Sequence, residues 1–135
     1  IQPVFVSHYI NAFGLGVHIT DPQWKGALAA SALPQDIAYG YDASLAVSTL
    51  LPFKMNNDAL YISLSIVKNE LRVNKEFVLS MHALSDVISY LSSFFIVRIG
   101  DLFGFDTGLC VSDLQIGDEI RLQHDHQDAI SLKIL

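Results

Sequence analysis

The chain has 135 residues, of which 51% are hydrophobic and only 16% charged, and its formal net charge is -6. That length supports one domain with its own core, and so few charges point to apolar surface that another chain, or another part of this one, would cover. Lys and Arg are few and unclustered, which argues against a nucleic-acid or anionic-membrane partner, and no apolar run reaches membrane-spanning length.

The single cysteine, Cys110, excludes an internal disulfide and favours a reducing, cytoplasmic setting. The sequence opens on Ile1 without a signal-peptide pattern, and is read as processed or as part of something longer.

In chain order, Val4 to Val6 with Tyr9-Ile10 predict a first strand, continued by Leu15 to Ile19, where Gly14 and Gly16 suit a bulge or a close backbone approach. Asp21-Pro22 is a helix start, Asp as N-cap and Pro in the first turn. The Ala-rich run from Gln23 to Ala32 extends that helix, Pro34 limits it, and Trp24, Ala27 and Leu28 form its expected buried stripe. Gly40 marks a turn, Ala46 to Leu51 a buried strand, and Lys54 to Asp58 a polar loop.

Leu60, Ile62, Leu64 and Ile66 alternate with Tyr61, Ser63 and Ser65, the pattern of a half-buried strand. Lys68-Asn69 is then the corner of a hairpin returning through Leu71 and Val73. Met81, Leu84, Ile88, Leu91 and Phe95 recur at helical steps and predict a second helix that starts between Leu79 and Ser85 and ends near Phe94.

Two Gly-Asp corners follow, Gly100-Asp101 and Gly117-Asp118, with strands expected at Leu102-Phe103 and from Glu119 to Leu122. Between the corners, Gly104 to Gly108 forms a loop where a ligand could meet backbone amides. Ile130, Leu132 and Ile134 alternate as a closing strand. There are no repeats or linkers. The elements describe a single α+β, mostly β domain over 1–135, a β-roll with two helices.

From about Tyr9 to Leu135 this order resembles the C-terminal domain of the fumarylacetoacetate hydrolase family, in its isomerase/decarboxylase and acylpyruvate-hydrolase branch. The pieces that carry the likeness are Leu15-Gly16-Val17-His18-Ile19-Thr20, Leu33-Pro34 with Gly40-Tyr41-Asp42, Ile88-Ser89-Tyr90-Leu91-Ser92, Ile99-Gly100-Asp101-Leu102 and Ile116-Gly117-Asp118. The family's Asn-Gly hairpin aligns with Asn69-Glu70 or with Asn74-Lys75, and counting forward to Met81 favours the first.

The resemblance implies a divalent metal, usually magnesium, held by carboxylates that present a 2-oxo or enol acid. Hard cations take such oxygen ligands. Two of the family's metal-binding Glu residues come from a segment upstream of Tyr9 that has no counterpart in these residues. The third carboxylate is an Asp, where this chain has His18. Pro22-Gln23 occupies the place of an Arg-Asp pair, Tyr39 that of the active-site lysine, while Asp42 matches. The substrate-cradling Thr-Gly-Thr-Pro loop aligns with Phe105-Asp106-Thr107-Gly108, where only Thr107 agrees.

Each departure has a plain reading beside the functional one. His18 could bind a softer metal such as zinc, or be an ordinary hydrogen-bonded histidine. His124-Asp125-His126 reads as a metal pair or as a solvated turn before the last strand. Asp42 and Thr107 are equally well explained as turn residues bonding their own backbone. Cys110 lacks the His partner or cationic neighbour of a nucleophile, and a tyrosine at 39 is a poor acid to stand in for lysine and metal.

Because the changes fall on polar functional positions and spare the framework, the expected function is a non-catalytic structural or interaction subunit, a pseudoenzyme without cofactor. It would form a homo- or hetero-oligomer with a like domain. Two rivals stand beside this. One is a binding module that retains a small acid without turning it over. The other is a magnesium-dependent hydrolase, decarboxylase or isomerase of 2-oxo or enol acids, its missing ligands supplied by another segment or chain.

Overall fold

The computed structural model describes residues 1–53 and 59–135, so the polar loop expected at Lys54 to Asp58 lies outside the described residues. The architecture is mixed α+β and mostly sheet. It begins not with a strand but with a 3-10 helix, Pro3–His8. Proline fixes φ for such a turn, and the coil carries Val6 into full burial against Leu84 and Ile88. A strand at Val4 to Val6 would have pointed Val4 and Val6 the same way; in the helix Val4 is exposed and Val6 buried.

β1 (Ala12–Phe13) and β2 (Gly16–His18) face β4 (Leu51–Pro52) and β3 (Leu45–Val47), giving two short antiparallel ladders. The break between them is built at Gly14. A Cβ there would fall 2.8 Å from Leu50 Cδ2, and the Leu15 N–H bonds Ser48 Oγ at 3.0 Å instead of a ladder carbonyl. The close approach at Gly14 is thus made by the Leu50 side chain and not by a backbone. It also splits the single buried strand expected at Ala46 to Leu51, and Leu45, Val47, Leu50 and Leu51 are all exposed.

α1 (Pro22–Ala30) starts as the sequence predicts, with Asp21 Oδ1 accepting the Trp24 N–H at 2.8 Å. Its expected stripe is narrower, because Leu28 is buried while Trp24 and Ala27 are exposed. Trp24 lies instead against the Tyr41 ring, with centroids 6.2 Å apart. A second 3-10 turn, Gln35–Ala38, packs beside α1.

The main sheet runs in the order β6-β5-β7-β8, antiparallel throughout. β5 (Ala59–Lys68) and β6 (Leu71–Ser80) meet at Asn69, whose φ of 52° places the hairpin corner at Asn69-Glu70. Cross-strand pairing puts Ile62, Leu64 and Ile66 on one face with Leu122 and Ile130 of β7 (Glu119–His124) and β8 (Gln127–Lys133). Polar pairs line the other face, Ser63 with Glu76 and Ser65 with Asn74.

α2 (Met81–Leu91) is capped by Ser80, whose Oγ accepts the Ala83 N–H. Leu84 and Ile88 are buried as expected, but the helix ends at Leu91 rather than near Phe94, and Phe95 is 67% exposed. Both Gly-Asp corners close alike. Gly100 and Gly117 take φ of 98° and 96°, and each Asp carboxylate accepts the N–H three residues back, from Arg98 and from Gln115. Glu119 then enters β7 as expected. Leu102-Phe103 forms no strand, because Phe103 packs its ring against Val6, Leu84 and Ile88.

Candidate functional site

The polar residues singled out in the sequence fall into three places. The first is where β2, α1 and the turn after Ala38 meet. His18 ends β2 opposite Leu45, and the next residues lock onto the neighbouring turn through Ile19 N–H to Ser44 O and Asp21 N–H to Ala38 O. This brings the His18 imidazole to the backbone of Tyr39, where its Nε2–H donates to Tyr39 O at 2.6 Å. A carbonyl only accepts, so the bond sets the tautomer: the proton sits on Nε2 and Nδ1 keeps its lone pair.

Lys25 of α1 completes this cluster. Its Nζ lies 5.1 Å from the centroid of the Tyr39 ring, a cation–π distance. Tyr39 thus holds an imidazole through its carbonyl and an ammonium through its ring. Nothing in the sequence marks Lys25, since a single lysine on a short helix is ordinarily a solvated charge. Asp21, one turn earlier, caps the helix as expected and does not pair with it. Asp42 lies exposed in the following turn, beside Ala43 at φ 62°.

The second place is the loop matched to the substrate cradle. Asp106 Oδ1 accepts the Gly108 N–H at 2.7 Å and Thr107 Oγ1 the Leu109 N–H at 3.3 Å. Both side chains therefore bond their own backbone. Gly108 is favoured by its φ of 67°, which side chains rarely adopt; the Lys75 ammonium that a Cβ would meet can swing aside. The third place is the β7–β8 corner, where Asp125 and His126 take φ of 49° and 65° and His124 Nε2 approaches Asp125 at 3.4 Å. This corner is a tight hairpin turn on a different sheet from His18.

Among the described residues no three of His, Cys, Asp or Glu converge to hold a metal ion. His18 offers one nitrogen where a hard cation needs several oxygens, so the donor set does not fit magnesium. Cys110 is exposed. Of two clefts near Phe95 and Ile96, one is largely apolar; the other is lined by Ser92 and Ser93 as well as by apolar residues, and there the Ile1 amine already donates to Ser92 Oγ. No helix of the described residues is long and apolar enough to cross a membrane.

No family model matches the chain. It is similar, at 27% identity over 118 residues, to the oxaloacetate tautomerase YcgM of Escherichia coli (strain K12), covering 86% of this chain and 54% of that enzyme. Its fold is that of a crystallised protein from Yersinia pestis CO92 assigned to the fumarylacetoacetate hydrolase family, with a TM-score of 0.72 and 23% identity. All of this chain and 62% of that one are covered. The chain therefore spans little more than half the length of these relatives. The expectation of a non-catalytic subunit is overturned here, since the sequence relative is an enzyme.

Proposed function

We propose, for a chain that belongs to the fumarylacetoacetate hydrolase family, that it supplies part of the active site of an enzyme acting on small 2-oxo and enol acids. The reaction is proton transfer between carbon and oxygen, a keto–enol tautomerisation of the oxaloacetate type. The observation that carries this reading is the bond from His18 Nε2–H to the Tyr39 carbonyl. It leaves the other nitrogen of an exposed imidazole as a proton acceptor, and imidazole is the side chain most often used to take and return a proton. The Escherichia coli relative is an oxaloacetate tautomerase, which supports the same chemistry.

In that reaction His18 Nδ1 takes the proton from C3 of the 2-oxo acid. The C–H electron pair becomes the C2–C3 double bond and the carbonyl oxygen becomes the enolate. The same proton, delivered to that oxygen, gives the enol and restores the imidazole. Magnesium, implied by the resemblance, finds no fitting donor set among the described residues. Such donors come, in this reading, from another segment or chain.

The test follows the enol absorbance of oxaloacetate with the full-length protein and magnesium supplied. Decay well above the spontaneous rate is expected. His18→Gln keeps an N–H for the Tyr39 carbonyl but offers no base, and should lower kcat by roughly 10²–10⁴-fold. A rate equal to that of buffer with the same magnesium sinks the proposal.

A further inference from the structure

Lys25 is half-buried on an otherwise exposed stretch of α1, and its ammonium forms no ion pair among the described residues. Asp21, one turn earlier, spends its carboxylate on the Trp24 N–H. What holds Lys25 is the Tyr39 ring at 5.1 Å. A ring face neutralises no charge and engages at most one of the three ammonium N–H donors. A cation so placed, in a chain of net charge -6, is a positive point with N–H donors left to give. The same residue that pins it also holds His18 through its carbonyl, so the cation and the proton acceptor share one support.

We propose that Lys25 binds a carboxylate of the 2-oxo acid, and that Tyr39 is the positioning residue that aims it. This rests on the tautomerase reading and names the residue that selects acidic substrates for it. The assignment separates two parts of Tyr39. Its hydroxyl is not used, its ring is.

The experiment uses the full-length protein with two readouts, oxaloacetate tautomerisation and calorimetric binding of oxalate, which carries carboxylates but cannot enolise. Lys25→Gln should raise KM and weaken oxalate by roughly tenfold or more, the worth of a charge-assisted hydrogen bond, with kcat changed little. Lys25→Arg should restore most of both. Tyr39→Phe should behave as the parent protein, whereas Tyr39→Leu should resemble Lys25→Gln.

Unchanged KM and oxalate affinity in Lys25→Gln overturn the assignment while leaving the tautomerase reading intact. If the parent protein fails to turn over oxaloacetate, the tautomerase reading falls and oxalate alone decides Lys25. Binding that Lys25→Gln abolishes then supports it; absent or unaltered binding overturns it.

Discussion

At the scale of single residues, the best-connected carboxylate is not in the candidate site but at the second Gly-Asp corner. Asp118 is 13% exposed and lies 3.3 Å from Lys68 Nζ. The Asn69 side-chain amide, then the Gln115 N–H, hold its carboxyl below the usual 3.8; desolvation opposes them and Lys68 adds to them. A carboxyl depressed in the folded state contributes stability above its unfolded value and loses it as pH falls through the folded one. Thermal unfolding followed from neutral pH down past 3.8 should show the parent protein losing this contribution at the acid end. Asp118→Asn should melt lower at neutral pH and show a shallower acid decline; an unchanged pH profile would remove Asp118 from the stability argument.

At the scale of elements, α1 links stability to the candidate site. Its packing face is nearly reduced to Leu28, so the cap at Asp21 matters more than in a well-buried helix. Asp21→Ala should cost about 1 kcal/mol in chemical denaturation, within a range of roughly 0.5–2 kcal/mol. Because Lys25 is carried one turn further along, the same substitution should also weaken oxalate binding. Loss of stability with unaltered oxalate affinity would separate the helix from the site. α2 is anchored differently: Leu84 and Ile88 close on Val6, with Phe103 and Phe105 packed against that cluster.

At the scale of the whole molecule, the accessible surface is 9727 Å², against about 7,000 Å² for a compact monomer of 14.9 kDa. The excess, roughly 2,700 Å², exceeds the ~800 Å² each partner buries in a standard interface. Phe94, Phe95, Ile96, Ile99 and Ile116 contribute to it. This surface agrees with the proposal that another segment or chain completes the site.

Burial is also uneven. β5, central in the main sheet, carries a run of buried residues from Leu64 to Val67, whereas β2, β3 and α1 have few. Amide exchange by mass spectrometry should therefore be slowest in β5 and faster in α1 and the β2–β3 ladder. Oxalate should slow exchange in α1 and the turn at Tyr39 specifically. Uniform protection across the chain would contradict this division.

What the sequence by itself determined is local chemistry. The Asp21-Pro22 start, the apolar helical stripe through Leu84 and Ile88, the alternation through β5 and the glycine corners at Gly100 and Gly117 each follow from a few neighbouring residues, and each lies where the pattern puts it. Only the tertiary structure decided where an apolar residue goes when neighbours compete for burial. Val6 coils under α2, Leu102-Phe103 yields a strand to the packing of a ring, and Leu50 closing on Gly14 splits one strand into two. The candidate site follows the same rule. His18 and Tyr39 were legible as positions, but neither the Nε2–H bond between them nor Lys25 on the Tyr39 ring could be read, because those contacts join residues 14 to 21 positions apart. Short-range propensity carries no information across such a gap; only packing of α1 against the turn that holds Tyr39 does.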